Sequence, residues 1–151
     1  MHIEGQQLGR YRLLRLIGRG GAGNVYLADD QRLTRQVAIK VIESEDPNSE
    51  ATREATRLFE REARTIAMLS HPNILPLFDF GQETIDGAIL AYLVLPFCPE
   101  GSLVKWLSQL NGTGTPMLLP HQVLHIVQQA ADALDYAHDK QIIHRDVKPS
   151  N

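Results

Sequence analysis

Three features in the first half of the chain suit phosphate chemistry. Gly18, Gly20 and Gly23 form a Gly-x-Gly-x-x-Gly run, opened by Ile17 and followed by Val25. Glycines let backbone N–H groups approach phosphate oxygens with no Cβ in the way. Taken alone, the run is equally a glycine-rich hairpin turn. A dinucleotide-binding fingerprint uses similar glycines, but it must pass from a strand into a helix. Here Asn24-Val25-Tyr26-Leu27-Ala28 and Val37-Ala38-Ile39-Lys40 both read as strands, so the oxidoreductase reading fails. Lys40 ends an apolar strand, a place where an isolated lysine is usually a surface charge. The helix that follows changes the balance. Ala55, Phe59, Glu62, Ile66 and Leu69 recur at spacings of four, three, four and three, which puts them on one face. A carboxylate inside such a stripe costs several kcal/mol unless a cation meets it. Lys40 is the natural partner.

The elements that must position these groups follow from pattern and punctuation. Strands are expected over 11–17, 24–28, 36–42, 75–80 and 89–95, with a turn at Asp86-Gly87 between the last two. Residues 43–49 are polar, carry Pro47 and read as a loop. A helix is expected over 52–69. Pro96, Pro99 and Gly101 mark a connector over 96–101, after which Ser102 caps a short helix through Leu110. The clearest helix is 121–139, where Val123, Ile126, Val127, Ala130, Leu134 and Ala137 share a stripe that Leu124 and Ala131 widen. Strands with one helix, a hinge-like connector and then helices make a two-lobed α+β plan.

The bulk properties exclude several classes. With 43% hydrophobic and 22% charged residues, the 151-residue chain has an ordinary globular composition. A net charge of -3 leaves no basic footprint for nucleic acid or anionic membrane. Phosphate must therefore be held by local geometry. One cysteine, Cys98, allows no intrachain disulfide and fits a reducing, cytoplasmic setting. The opening Met1-His2-Ile3-Glu4-Gly5 lacks the regions of a signal peptide. The densest apolar stretch, 88–97, is about half of what a membrane helix needs. His121 and His125 stand at i, i+4, but Gln122 occupies the place where a zinc-protease pattern needs Glu, so they read as a solvent-facing pair.

The last ten residues, Ile142-Ile143-His144-Arg145-Asp146-Val147-Lys148-Pro149-Ser150-Asn151, are the most specific signal. With the glycine run, the Val-Ala-Ile-Lys strand and Glu62, they resemble the protein kinase family over residues 11–151, and their style is similar to its bacterial serine/threonine members. The resemblance implies a two-lobe fold. Residues 11–95 would form an N-lobe of five antiparallel strands and one helix behind a leader of 1–10. Residues 96–101 would be the hinge and 102–151 the first part of a helical C-lobe. It implies transfer of the ATP γ-phosphate, with Mg²⁺, to Ser or Thr hydroxyls of protein substrates. Asp146 would accept or orient the hydroxyl proton, Lys148 would stabilise charge near the transferring phosphate, and Asn151 would ligate Mg²⁺. Lys40 and Glu62 would pair at the α- and β-phosphates. Ile17, Gly18, Gly20, Gly23, Val25 and Ala38 would surround the nucleotide. Leu95 would guard the back pocket, Pro96 would offer adenine its carbonyl and Cys98 its N–H. His144 would be a packed structural residue, and Arg145 next to Asp146 resembles kinases regulated by activation-loop phosphorylation.

Family members continue from this loop into an Asp-Phe-Gly segment that holds Mg²⁺, an activation loop and further helices. None follows Asn151, and an ending inside a motif looks like truncation. The expectation is a fragment that is poorly soluble and has little or no activity alone. The competing reading is a catalytically silent module that binds nucleotide or a partner. Five intact residues, Lys40, Glu62, Asp146, Lys148 and Asn151, favour the enzyme. The protein substrate, the activating signal and the oligomeric state are not written in these residues.

Overall fold

The computed structural model describes residues 3–20, 23–44, 49–112 and 118–150, and leaves the side chains of 110–112 undescribed. The chain divides into two compact units, Met1–Ser70 with Leu75–Phe97, and His71–Ile74 with Cys98–Asn151.

The first unit is a six-stranded antiparallel sheet in the order β1-β2-β3-β4-β6-β5 with one helix. The strands are β1 (Gln7–Leu8), β2 (Tyr11–Gly20), β3 (Gly23–Asp30), β4 (Arg35–Ser44), β5 (Asp79–Ile85) and β6 (Ala88–Pro96), and α1 spans Glu50–Ala67. Alternation sorts the sheet into two faces. Tyr26, Ala28, Val37, Ile39, Val41, Leu90, Tyr92 and Val94 are buried together with Leu13 and Tyr11 in the core. Residues one position away face the other side.

Two expectations need correction. The sheet has six strands rather than five, and the additional one is β1, drawn from the supposed leader. Ile3 and Leu8 are 4% and 0% exposed and belong to the core, because packing them on the sheet's apolar face removes apolar surface from water. The strand expected over 75–80 starts only at Asp79. Pro76 has no N–H for a ladder, and ahead of Asp79 only Phe78 N–H reaches Val94 carbonyl, at 2.8 Å. The polar strand that does form, Asp79–Ile85, takes the sheet edge, where side-chain apolarity matters least. The two-residue turn Asp86-Gly87 is as expected, with φ of 50° and 82° at its two positions.

Helix α1 opens at Ser49, whose Oγ accepts Thr52 N–H at 3.1 Å. Its inward residues are Thr52 and Ala63, with Phe59 and Ile66 half-buried. A network closes the far end of the sheet. Asp30, 0% exposed, accepts the N–H groups of Arg32 and Leu33 and lies 3.3 Å from Arg10 Nε and 3.8 Å from Arg35 Nε. Arg10 also reaches Asp79 at 3.5 Å, which accepts the buried Tyr11 hydroxyl at 2.8 Å.

The second unit carries α2 (Leu103–Gly112) and α3 (Pro120–Asp139), followed by an irregular segment to Ser150. Ser102 caps α2 through Lys105 N–H at 3.4 Å. Of the stripe expected on α3, Ala137 is buried and Ile126 and Leu134 are half-buried, while Val123, Val127 and Ala130 are exposed. The rings of His71 and Tyr136 stack at 5.2 Å.

Candidate functional site

The register of the first unit determines what lies on the side of the sheet opposite the core cluster. Val25 lies opposite Lys40 and Leu27 opposite Ala38. Across the other edge of β4, Lys40 lies opposite Leu93 and Ala38 opposite Leu95. Directly paired residues point to the same face. One face thus carries Val25, Leu27, Ala38, Lys40, Leu93 and Leu95, a strip of aliphatic side chains with a single amine. Such a strip suits a flat apolar ring bearing an anionic chain. Leu93 is absent from the residues singled out by sequence; its alternation with Leu95 was the available signal.

The glycine run is a hairpin. Gly18 pairs with Val25, Arg19 with Asn24 and Gly20 with Gly23, and the tip at 21–22 lies outside the described residues. Gly18 and Gly20 sit in β2 with Ile17, which is half-buried. Gly23 has φ of 115°, and a Cβ there would lie 2.4 Å from the Val41 carbonyl oxygen. Glycine is thus demanded by the β3–β4 contact, whatever binds the loop.

Lys40 and Glu62 line one cavity of about 570 Å³ together with Gly23, Asn24, Phe59, Ala63 and Leu93. Lys40 is half-buried. The expected ion pair is not formed: Glu62 is exposed, and among the described residues no ion pair joins it to Lys40. The reason lies on the helix. Ala63 points inward, and its predecessor is rotated by roughly 100° from it. The stripe Ala55, Phe59, Glu62, Ile66 therefore runs along the flank of the buried face, and Glu62 meets water at the cavity's edge.

Leu95 and Pro96 end β6, where Pro96 pairs in register with Val37 and contributes only a carbonyl. Cys98 is an exposed free thiol whose carbonyl accepts Gly101 N–H at 3.1 Å in a turn.

In the second unit the Asp146 carboxylate is exposed and contacts Lys148 Nζ at 2.7 Å. Asp146 N–H donates to His144 Nδ1 at 3.3 Å. His144, expected to be packed, is exposed and shapes the loop through that bond. Arg145 takes φ of 62°, an unfavourable conformation for a long side chain that turns the loop immediately before Asp146. Val104 N–H donates to Pro149 carbonyl at 3.1 Å, which ties the loop to the start of α2. Asn151, the expected Mg²⁺ ligand, lies outside the described residues. Among those described, no group of three or more His, Cys, Asp or Glu residues is arranged to hold a metal, and His121 and His125 are exposed on α3. An Asp-Phe-Gly tripeptide does occur, at Asp79-Phe80-Gly81, far from the place where the family carries it. It belongs to β5, where Asp79 holds Tyr11 and Arg10, so its role there is structural.

The protein kinase domain family matches residues 11–151, and the chain belongs to that family. It is 41% identical over 143 residues to serine/threonine-protein kinase PrkC of Bacillus subtilis, covering 95% of this chain and 20% of that one. It is 42% identical over 150 residues to serine/threonine-protein kinase PknA of Mycobacterium tuberculosis, covering 95% and 32% respectively. A crystal structure of the PknI kinase domain from M. tuberculosis, in a single-site mutant form, superposes with a TM-score of 0.74 at 32% identity, over all of this chain and 57% of that one. The chain thus spans a fifth to a third of these curated relatives and just over half of the solved domain. Its fold is that of a protein kinase domain, and the family uses ATP and a divalent metal. No helix among the described residues is long and apolar enough to cross a membrane.

Proposed function

We propose that this chain carries the nucleotide site and catalytic loop of a serine/threonine protein kinase, which transfers the ATP γ-phosphate to Ser and Thr hydroxyls of protein substrates. The observation that carries the reading is the sheet face on which Val25, Ala38 and Leu95 flank Lys40. The aliphatic residues fit an adenine ring and the amine fits the phosphates, with the glycine hairpin above them. Pro96 carbonyl and Cys98 N–H are the adenine-edge partners in this reading. ATP with Mg²⁺ supplies the reactive phosphoryl group. Asn151 is the oxygen donor of the loop suited to the hard cation.

This chain's own residues do the rest. Asp146 accepts or orients the proton of the acceptor hydroxyl. Lys148, held against it, places a cation where negative charge gathers during transfer. Lys40 orients the phosphates, and Glu62 supports Lys40 once α1 has turned enough to bring the carboxylate inward. Lys148 fits Ser and Thr as acceptors. The domain is read as cytoplasmic, and its partners are protein substrates rather than nucleic acid.

The test is phosphorylation of a generic protein substrate by the full-length gene product with radiolabelled ATP and Mg²⁺. Phosphoserine and phosphothreonine are expected, with loss of about 100-fold or more in Asp146→Asn. Phosphotyrosine alone, or full activity in that variant, contradicts the reading. The open Lys40–Glu62 arrangement favours a second reading for these 151 residues in isolation: nucleotide binding without catalysis.

A further inference from the structure

The segment before β2 is positioned to act on the glycine hairpin. Gly5 N–H donates to Leu13 carbonyl at 2.9 Å, and Leu13 N–H donates to Gln6 carbonyl at 2.9 Å, so the segment runs along β2. One step further along the strand, Glu4 uses its side chain. Its Oε1 accepts Leu16 N–H at 2.8 Å. Leu16 is a singular place in β2. The β2–β3 register shifts between Leu13 and Arg15 and again between Leu16 and Gly18. A strand interrupted twice in succession is free to bend there, and the hairpin of Gly18, Gly20 and Gly23 hangs from that point. Beside Glu4, Ile3 is 4% exposed and lines the same cavity as Lys40, Glu62 and Gly23.

We propose that Glu4 is a positioning residue for the nucleotide phosphates, acting through Leu16 N–H to set the angle at which the glycine hairpin leaves the sheet, with Ile3 anchoring it at the wall of the Lys40 cavity. The proposal rests on the nucleotide-binding reading above. A carboxylate on a backbone N–H is a strong tether, because a charged acceptor roughly doubles the strength of such a bond. It fixes the strand in the two-residue stretch, Arg15 and Leu16, that pairs with β3 between the two irregularities.

The hairpin touches phosphates and the sheet face touches the ring, so the two ligand halves separate the effects. Calorimetric titration of the chain with Mg·ATP and with adenosine is the experiment, on wild type, Glu4→Ala and Glu4→Gln. Glu4→Ala should weaken ATP about fivefold and leave adenosine within about twofold. Glu4→Gln keeps an acceptor oxygen and should restore most of the ATP affinity. Equal losses for both ligands, or no loss for ATP, overturn the proposal, since a merely structural strap does not discriminate phosphates. Amide exchange at Leu16 is read in the same proteins. It should be slow in wild type and Glu4→Gln and faster in Glu4→Ala; unchanged exchange overturns the tether. Failure of the wild type to bind either ligand while Leu16 exchange responds to Glu4→Ala would overturn the nucleotide reading, and with it the phosphate role, but leave the tether standing.

Discussion

Replacing Gly23 by alanine separates the architectural demand on the glycine hairpin from its chemical one. At Gly23 φ is 115°, beyond the left-handed well that other residues visit, and holding an L residue there costs about 1–3 kcal/mol. The new Cβ would also stand 2.4 Å from Val41 carbonyl oxygen and 3.3 Å from Ile42 Cγ1. Val41 is backbone held in the β3–β4 ladder opposite Asn24, so the overlap is relieved only by moving a strand, for about another 1–3 kcal/mol. The sum is about 2–6 kcal/mol. Gly18 is the control. A Cβ there meets Val25 Cβ at 3.6 Å, an ordinary contact with no positive φ, so Gly18→Ala should change stability by less than about 1 kcal/mol. Urea denaturation of the two variants reads the difference directly. The shift falls close to Val25 and Lys40, so Gly23→Ala should also lose ATP affinity. Two variants within about 0.5 kcal/mol of each other would refute the steric argument.

Other consequences follow from the same geometry. Asp30→Asn removes the charge that faces Arg10 and Arg35 while keeping an acceptor, and should cost about 2 kcal/mol in chemical denaturation. Gly81→Ala drives a Cβ to 2.6 Å from Tyr92 Oη and should destabilise by about 1–3 kcal/mol, with the penalty much reduced when Tyr92 is made alanine as well. Burial pushes the Tyr11, Tyr26 and Tyr92 phenols up, and the Tyr11 bond to Asp79 adds to it. The folded chain then keeps protons that the unfolded chain releases, so this stability is complete below about pH 10 and declines as pH rises above it. Thermal melts between neutral and strongly alkaline pH should show the decline, and Tyr11→Phe should shallow it.

The sequence made legible whatever rests on local pattern. β4 alternates Val37, Ile39 and Val41 on one side with Ala38 and Lys40 on the other, and both the strand and its two faces could be read from that. The turn at Asp86-Gly87 and the cap at Ser102 were equally local. What was not legible depends on tertiary competition. Ile3 and Leu8 are too few and too spread to signal a strand, yet the sheet's apolar face recruits them. Glu62 falls on an apolar stripe by spacing, but Thr52 and Ala63 win the inward position and leave it at the rim. Asp79-Phe80-Gly81 reads as a motif on paper and acts in the fold as an edge strand joined to Tyr11. The segment 142–150 was read by residue type alone, since it has no periodicity, and its Asp146–Lys148 contact could not be inferred from spacing.

The central claim is that the face of Val25, Ala38, Lys40 and Leu95 holds the nucleotide. Its most direct test is Mg·ATP titration of the isotopically labelled chain, followed by NMR, in wild type and Lys40→Met. The account predicts saturable shifts at those residues and at Gly18 in wild type, with binding lost or greatly weakened in the variant. Shifts absent from that face, or the same affinity without the Lys40 amine, would contradict it.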